Sequence, residues 1–141
     1  MEKADVLKYM RTHSLGVQAS VSTGSSPQAA VVGFVVSDDF EIIFDTVATT
    51  RKVVNLRQNP RCAFVIGGLT EGDERTVQYE ASADEPTGDE LTALKELYFA
   101  RFPDGRGRQN WPGLTYIRLK PQWLRFSDWN QAPPLIVEFD F

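Results

Sequence analysis

Short runs of strand periodicity, closed off by polar turns, are the feature that most restricts the fold. "LGVQASVST" (Leu15 to Thr23) alternates around Val17, Ala19 and Val21, the two-residue period of a strand. "GSSP" turns the chain into the apolar run Gln28 to Val36, and "SDD" turns it again into Phe40 to Thr46, a hairpin pattern. Arg61 to Gly68 is a further strand, and Arg75 to Glu85 alternates Val77, Tyr79, Ala81 and Ala83. "LTYIRLKPQWLRFSD" predicts two short strands broken at Pro121, and the tail "PPLIVEFDF" an extended edge or a segment lying on a partner.

Helical period is confined to short pieces. Val6, Leu7 and Met10 share one face of a helix over about Glu2 to His13. A second helix spans about Thr50 to Gln58, ended by Asn59-Pro60. Thr87 and Glu90 have capping-box spacing ahead of a helix whose face is Leu91, Leu94, Leu97 and Tyr98. "FPDGRGRQNWPG" predicts a loop, and its Asp104 to Arg108 stretch is a solvated basic turn rather than a phosphate motif. About six strands with two or three peripheral helices describe an α+β fold, a small antiparallel split β-barrel. Its 141 residues are expected to form a single domain.

Composition removes several classes of function. A net charge of −4 argues against a nucleic-acid partner, which needs a basic face. One cysteine, Cys62 in an apolar run, excludes an internal disulfide and predicts a reduced, cytoplasmic setting. No segment has the length and apolarity of a signal peptide or a membrane span. One histidine, His13, and one cysteine cannot assemble a familiar zinc or iron site or a nucleophilic triad. No side chain is assigned a catalytic role.

One stretch stands apart. In "DTVATTRKVVNLRQNPR" (Asp45 to Arg61) the first turn of the second helix carries Arg51 and Lys52. A helix start is already electropositive and prefers acidic residues there. Two cations fit that place when an anion lies between them and the helix end. Thr49 or Thr50 can cap the helix, and its free N–H groups with the Thr hydroxyl, the Arg51 fork and the Lys52 ammonium suit a phosphate.

Phe44, Thr46, Thr50, Lys52, Asn55, Leu56, Asn59 and Pro60 fill, in order and spacing, a signature that resembles the pyridoxamine 5′-phosphate oxidase-like family of flavin-binding split barrels. The resemblance extends from about Gly16 to Asp128. It implies a homodimer with two FMN molecules at the subunit interface. Arg51 and Lys52 would hold the FMN phosphate, with Thr50 adding a hydroxyl. Backbone groups of Val31, Val32, Asp45 and Thr46 would run along the ribityl chain and the ring edge. Thr76 of the partner would stand near the flavin, and Trp123 or Trp129 would cover the ring; core or dimer packing is the alternative role of the tryptophans.

The departures from the family are specific. Two cationic positions of the true oxidases are Ala29 and Phe34 here, and the closing Arg-x-His motif has no counterpart in "NQAPPLIVEFDF". Tyr98 matches a substrate-phosphate residue, while the neighbouring arginine falls on Phe102, with Arg101 one place off. The resemblance therefore implies a flavin oxidoreductase of unknown small-molecule substrate, not a pyridoxamine phosphate oxidase. Two alternatives stay open. The deazaflavin F420 would need Arg57, Arg106 and Arg108 at the mouth of the same groove. A non-catalytic flavin- or haem-binding protein would have only His13 as an axial ligand.

Overall fold

In the computed structural model, which describes residues 1–141, the alternating runs become eight strands: β1 (Leu15–Val21), β2 (Pro27–Gly33), β3 (Val35–Val36), β4 (Ile42–Val47), β5 (Arg61–Gly67), β6 (Arg75–Asp84), β7 (Leu114–Asp128) and β8 (Leu135–Asp140). Four helices accompany them: α1 (Lys3–Arg11), α2 (Arg51–Gln58), α3 (Gly88–Arg101) and the single turn α4 (Gly105–Arg108). All strand pairs are antiparallel, in the order β2-β1-β5-β6-β7-β4-β3. The sheet curls until β2 approaches β4, giving the expected α+β half-barrel.

β7 is one strand of 15 residues, not two broken at Pro121. One edge pairs with β6 from Arg118 to Asp128, while the other pairs with β4 up to Leu119 and with β8 from Trp123 onward. Pro121 sits in the gap between those two partners, beside a register shift at Glu80/Ala81. A residue with no N–H is tolerated at such a bulge because no ladder bond is asked of it there. The tail thus adds an edge strand to its own sheet.

Gln28 to Val36 is likewise divided: β2 pairs with β1, and after Phe34 the two residues of β3 pair with β4. The predicted hairpin is therefore the short β3–β4 pair, turned by residues 37–41 with Phe40 at φ 63°.

The barrel interior holds one apolar cluster that includes Val6, Met10, Phe34, Phe44, Val53, Leu56, Phe64, Ile66, Leu119 and Phe126. Phe34 and Phe64 meet edge to face with ring centres 5.2 Å apart, the favoured aromatic geometry. α3 covers the outside of β3, β4 and β7 through Leu94, Tyr98 and Phe99 against Val35, Ile43 and Tyr116. Its predicted capping box does not form: Thr87 is the N-cap but makes no side-chain cap bond. Glu90 instead accepts from Arg118 Nη1 at 3.3 Å. A guanidinium with only 6 % exposure takes the carboxylate in preference to a solvated backbone N–H.

β1 presents the opposite faces from those its alternation suggests. Gly16, Gln18 and Ser20 are buried, whereas Val17, Ala19 and Val21 lie on the half-exposed face. Neighbouring strands continue that outer face in register: Val31–Val17–Val65 form one row and Ala29–Ala19–Ala63 the next. Val31 is 64 % exposed and Val65 40 %.

Candidate functional site

The polar inner face of β1 meets the start of α2, and the two make one recess. Gln18, Ser20, Gln28, Ala29, Ala30 and the run Thr49 to Lys52 line a concave pocket of about 420 Å³. α2 starts here because Thr50 is extended (φ −69°, ψ 152°) and Val54 N–H then bonds back to Thr50 O, closing the first turn. The hydroxyl of Thr50 does not cap that turn. It donates to Val47 O at 2.8 Å and lies 3.3 Å from Thr46 Oγ1. The amides of Arg51, Lys52 and Val53 are left without an intrahelical or capping acceptor.

No acidic residue stands in this first turn. Neither Arg51 nor Lys52 belongs to any ion pair of the chain. Arg51 is exposed and Lys52 half-buried. Burial lowers the Lys52 pKa from the ordinary lysine value, since its charge has lost water and gained no counter-ion. An anion in the recess would reverse that penalty.

The opposite wall is a set of amides. Asn55 Nδ2 donates to Ser20 Oγ at 3.1 Å and to Gln28 Oε1 at 2.7 Å. Gln18 is 2 % exposed, and its Oε1 has no hydrogen-bond partner. Buried polar atoms are almost always paired, so an orphan acceptor on a residue of the pocket wall calls for a partner that the protein does not supply. Free N–H groups and two unpaired cations suit a phosphate group. Gln18, Ser20 and Gln28 were not picked out by sequence, and Asn55 entered only as a position of the family signature, with no role in the site. The one signal for Gln18 and Ser20 is their two-residue spacing on β1, which reads as a solvent face until β2 and α2 are seen to cover it.

The other residues assigned by the resemblance are dispersed in the single chain. Val31 and Val32 follow Ala29 and Ala30 on β2, a free edge of the sheet, with Val31 facing out and Val32 buried. Asp45 and Thr46 are on β4, leading into the Val47–Thr50 turn. Thr76 pairs with Gly67 and Ser127, and Trp123 pairs with Glu80 and Asp140 beneath the Arg125 guanidinium. Trp129 is 60 % exposed beyond the end of β7. None of these last three lines the α2 recess of its own chain.

The arginines that F420 would need are already matched. Arg57 pairs with Glu85, Arg106 with Glu96, and Arg108 with Asp45 and Asp104. His13 lies elsewhere, in a separate pocket of about 270 Å³ with Met10, Arg11, Phe34, Leu97 and Arg101. No cluster of three His, Cys, Asp or Glu side chains has the spacing of a metal site, and no helix is long and apolar enough to cross a membrane.

With this geometry in place, the comparisons with known proteins agree on the class. The sequence profile of the family pyridoxamine 5′-phosphate oxidase matches residues 3–128, and the chain belongs to that family. No curated protein matches the sequence. Among solved structures, a haem-binding protein from Mycobacterium smegmatis superposes with a TM-score of 0.81 at 18% identity, over 99% of this chain and 59% of that one. HutZ, a haem storage protein from Vibrio cholerae, gives 0.73 at 20% identity over 86% of this chain and 92% of its own. An FAD-binding protein from Mesorhizobium loti gives 0.68 at 14% over 88% and 92%. At these identities the structures establish a shared fold. The chain spans about three fifths of the Mycobacterium smegmatis protein.

Proposed function

We propose that the chain is an FMN-binding oxidoreductase that holds the cofactor's phosphate in the recess at the start of α2. The observation that carries this is the uncapped first turn with its two unpaired cations, Arg51 and Lys52. Thr50 keeps the turn open by spending its proton on Val47 O, so its contact with a phosphate requires that bond to be replaced. FMN, when bound, supplies hydride transfer through its N5 position, here with a small-molecule substrate. The pairing of Arg57, Arg106 and Arg108 with carboxylates favours FMN over the longer anionic tail of F420.

A homodimer belongs to the same proposal. The outer rows Val31–Val17–Val65 and Ala29–Ala19–Ala63 form an apolar face on the strands whose other side lines the recess. Small apolar residues exposed in register are what a second sheet packs upon. Pairing of two chains is the route by which Thr76, Trp123 or Trp129 of a partner would reach the flavin. A cytoplasmic setting suits the single reduced cysteine.

The test is flavin content. Replacing Arg51 and Lys52 together by Ala removes two charge-assisted contacts, each worth about 1.5–3 kcal/mol, and lowers affinity on the order of 10²–10⁴-fold. Copurifying flavin should disappear while the circular dichroism spectrum stays native; unchanged yellow colour and stoichiometry refutes the assignment.

A second reading, non-catalytic haem binding, has one observation in its favour. His13 and Met10 share an apolar pocket rimmed by Arg11 and Arg101, groups suited to an iron ligand and to carboxylates. Arg11, however, is already bonded to Val36 O and Asp38. The absorption spectrum of the purified protein separates flavin from haem directly.

A further inference from the structure

The recess carries two polarities, and a phosphate accounts for only one of them. The three uncapped amides, Arg51 and Lys52 are all donors. Gln28 adds its NH₂ end to them, while its Oε1 already accepts from Asn55. Gln18 Oε1 is the exception: an acceptor, buried in the same wall, that meets no donor from Lys52, Ser20, Gln28 or any other protein group. A phosphate dianion has no proton to offer it. A hydroxyl adjoining the phosphate does. Turning the amide over would place its NH₂ in the same dry position, where a phosphate oxygen could be its acceptor, so the two arrangements demand different ligands.

We propose that Gln18 accepts a hydrogen bond from a ligand hydroxyl next to the phosphate, so that this site selects a phosphorylated polyol over phosphate esters in general. The inference rests on the FMN reading above, in which the ribityl chain supplies the hydroxyls. It makes Gln18 a specificity-determining residue on β1, the strand that also supplies Ser20 to the same wall. It also accounts for a polar side chain on a buried strand face, where an apolar residue would make the ligand-free fold more stable.

The experiment titrates flavin fluorescence with two ligands: FMN, and a flavin bearing a phosphoalkyl chain of the same length without hydroxyls. The wild-type protein should bind FMN about tenfold more tightly than the alkyl analogue, the scale of one hydrogen bond. In Gln18→Met the FMN affinity should fall about five- to tenfold, while the analogue's stays within about twofold. Ligand-free Gln18→Met should melt about 2–5 °C higher, because the unpaired acceptor is gone. Equal affinity of the wild type for both ligands overturns the role of Gln18 and leaves the FMN site standing. Equal weakening of both ligands in Gln18→Met overturns it too, by showing that the amide serves the phosphate. Failure of the wild type to bind either ligand removes both readings. The wild-type comparison alone decides if the variant does not fold.

Discussion

The hydroxyl of Tyr98 donates to Oδ1 of Asp45 at 2.8 Å, tying the last turn of α3 to the strand that leads into the α2 recess. The other carboxylate oxygen, Oδ2, accepts from Arg108 Nε at 2.9 Å, and Arg108 also reaches Asp104. Asp45 therefore joins three elements, β4, α3 and α4, and its side chain is committed to protein partners. Only its backbone is left to face a ligand. Tyr98, which the family resemblance aligns with a substrate-phosphate contact, is equally committed. Its pKa is raised by burial first and by the Asp45 carboxylate second. The absence of a recognisable oxidase substrate site thus has a structural counterpart: the tyrosine is present but closes an internal network.

Breaking this network should loosen α3 without emptying the recess. Tyr98→Phe deletes one buried hydrogen bond to a charged acceptor and should destabilise by about 1–3 kcal/mol. Arg108→Met should do more, about 2–4 kcal/mol, because it leaves a carboxylate that is only 11% exposed without its counter-charge. Urea unfolding measures both. The double variant should lose less than the sum, since the two side chains share one carboxylate. Flavin content should be retained in Tyr98→Phe; its loss would show that Tyr98 contacts the ligand.

Acid sensitivity should centre on Arg118. That guanidinium, 7 % exposed at its side chain, is surrounded by Asp84, Glu90 and Glu41. Its hydrogen bond holds the Asp84 carboxyl below the usual range, against a smaller opposite push from burial. A folded pKa below the unfolded one gives stability that is fully present above about pH 4 and lost as pH falls through the folded value. Glu41 has the opposite sign. Burial lifts its pKa over the attraction of Arg118, so its contribution is present below about pH 4 and lost as pH rises through the folded value. Urea midpoints measured from pH 3 to 7 should therefore drop at the acid end in the wild type and flatten in Arg118→Met. Glu41→Gln should raise the midpoint at pH 7 and leave it unchanged near pH 3.5.

Cys62 should be chemically silent while the protein is folded. Its thiol is pushed up to about 12 by burial, and Sγ lies 3.6 Å from Ala81 O. The thiolate is the reactive form, so almost none exists at pH 8. A disulfide reagent at that pH should modify the native protein far more slowly than the urea-unfolded chain, by at least about 10²-fold. Rapid labelling of the native form would show that β5 opens there.

How much of this was written in the sequence differs from one element to the next. The α2 segment was legible because three local signals coincide at Thr50, Arg51 and Lys52: a start, two misplaced cations and no acid. Pro121 was misread as a strand end because a chain read locally does not reveal that β7 changes partners there, from β4 to β8. Glu90 was misread as a cap because Arg118, which takes it, is 28 residues away. The face of β1 was inverted for a deeper reason. Alternation tells two faces apart but not which one is inside, and the rule that the apolar one goes in fails here, where the polar face lines a recess. Gln18 and Val17 are the two halves of that failure, one turned to the recess and the other to the outer rows.

The outer rows lead to the last expectation, that Val65→Glu yields a folded monomer. Val65 is 40% exposed and pairs across β1 with Val17, whose other neighbour is Val31. In a lone subunit a glutamate there simply enters water, and a half-exposed Val→Glu change on a sheet surface should cost no more than about 1 kcal/mol. In a dimer packed through this face the same carboxylate would be buried unpaired, several kcal/mol against association. Light scattering should give the mass of two chains for the wild type and one for the variant, with melting temperatures within a few degrees. Flavin should be lost together with the dimer, because Arg51 and Lys52 would keep the phosphate while the partner's side of the ring was gone. A dimeric variant that keeps its flavin would move the interface off these strands; a monomeric one that keeps it would place the whole site within a single chain.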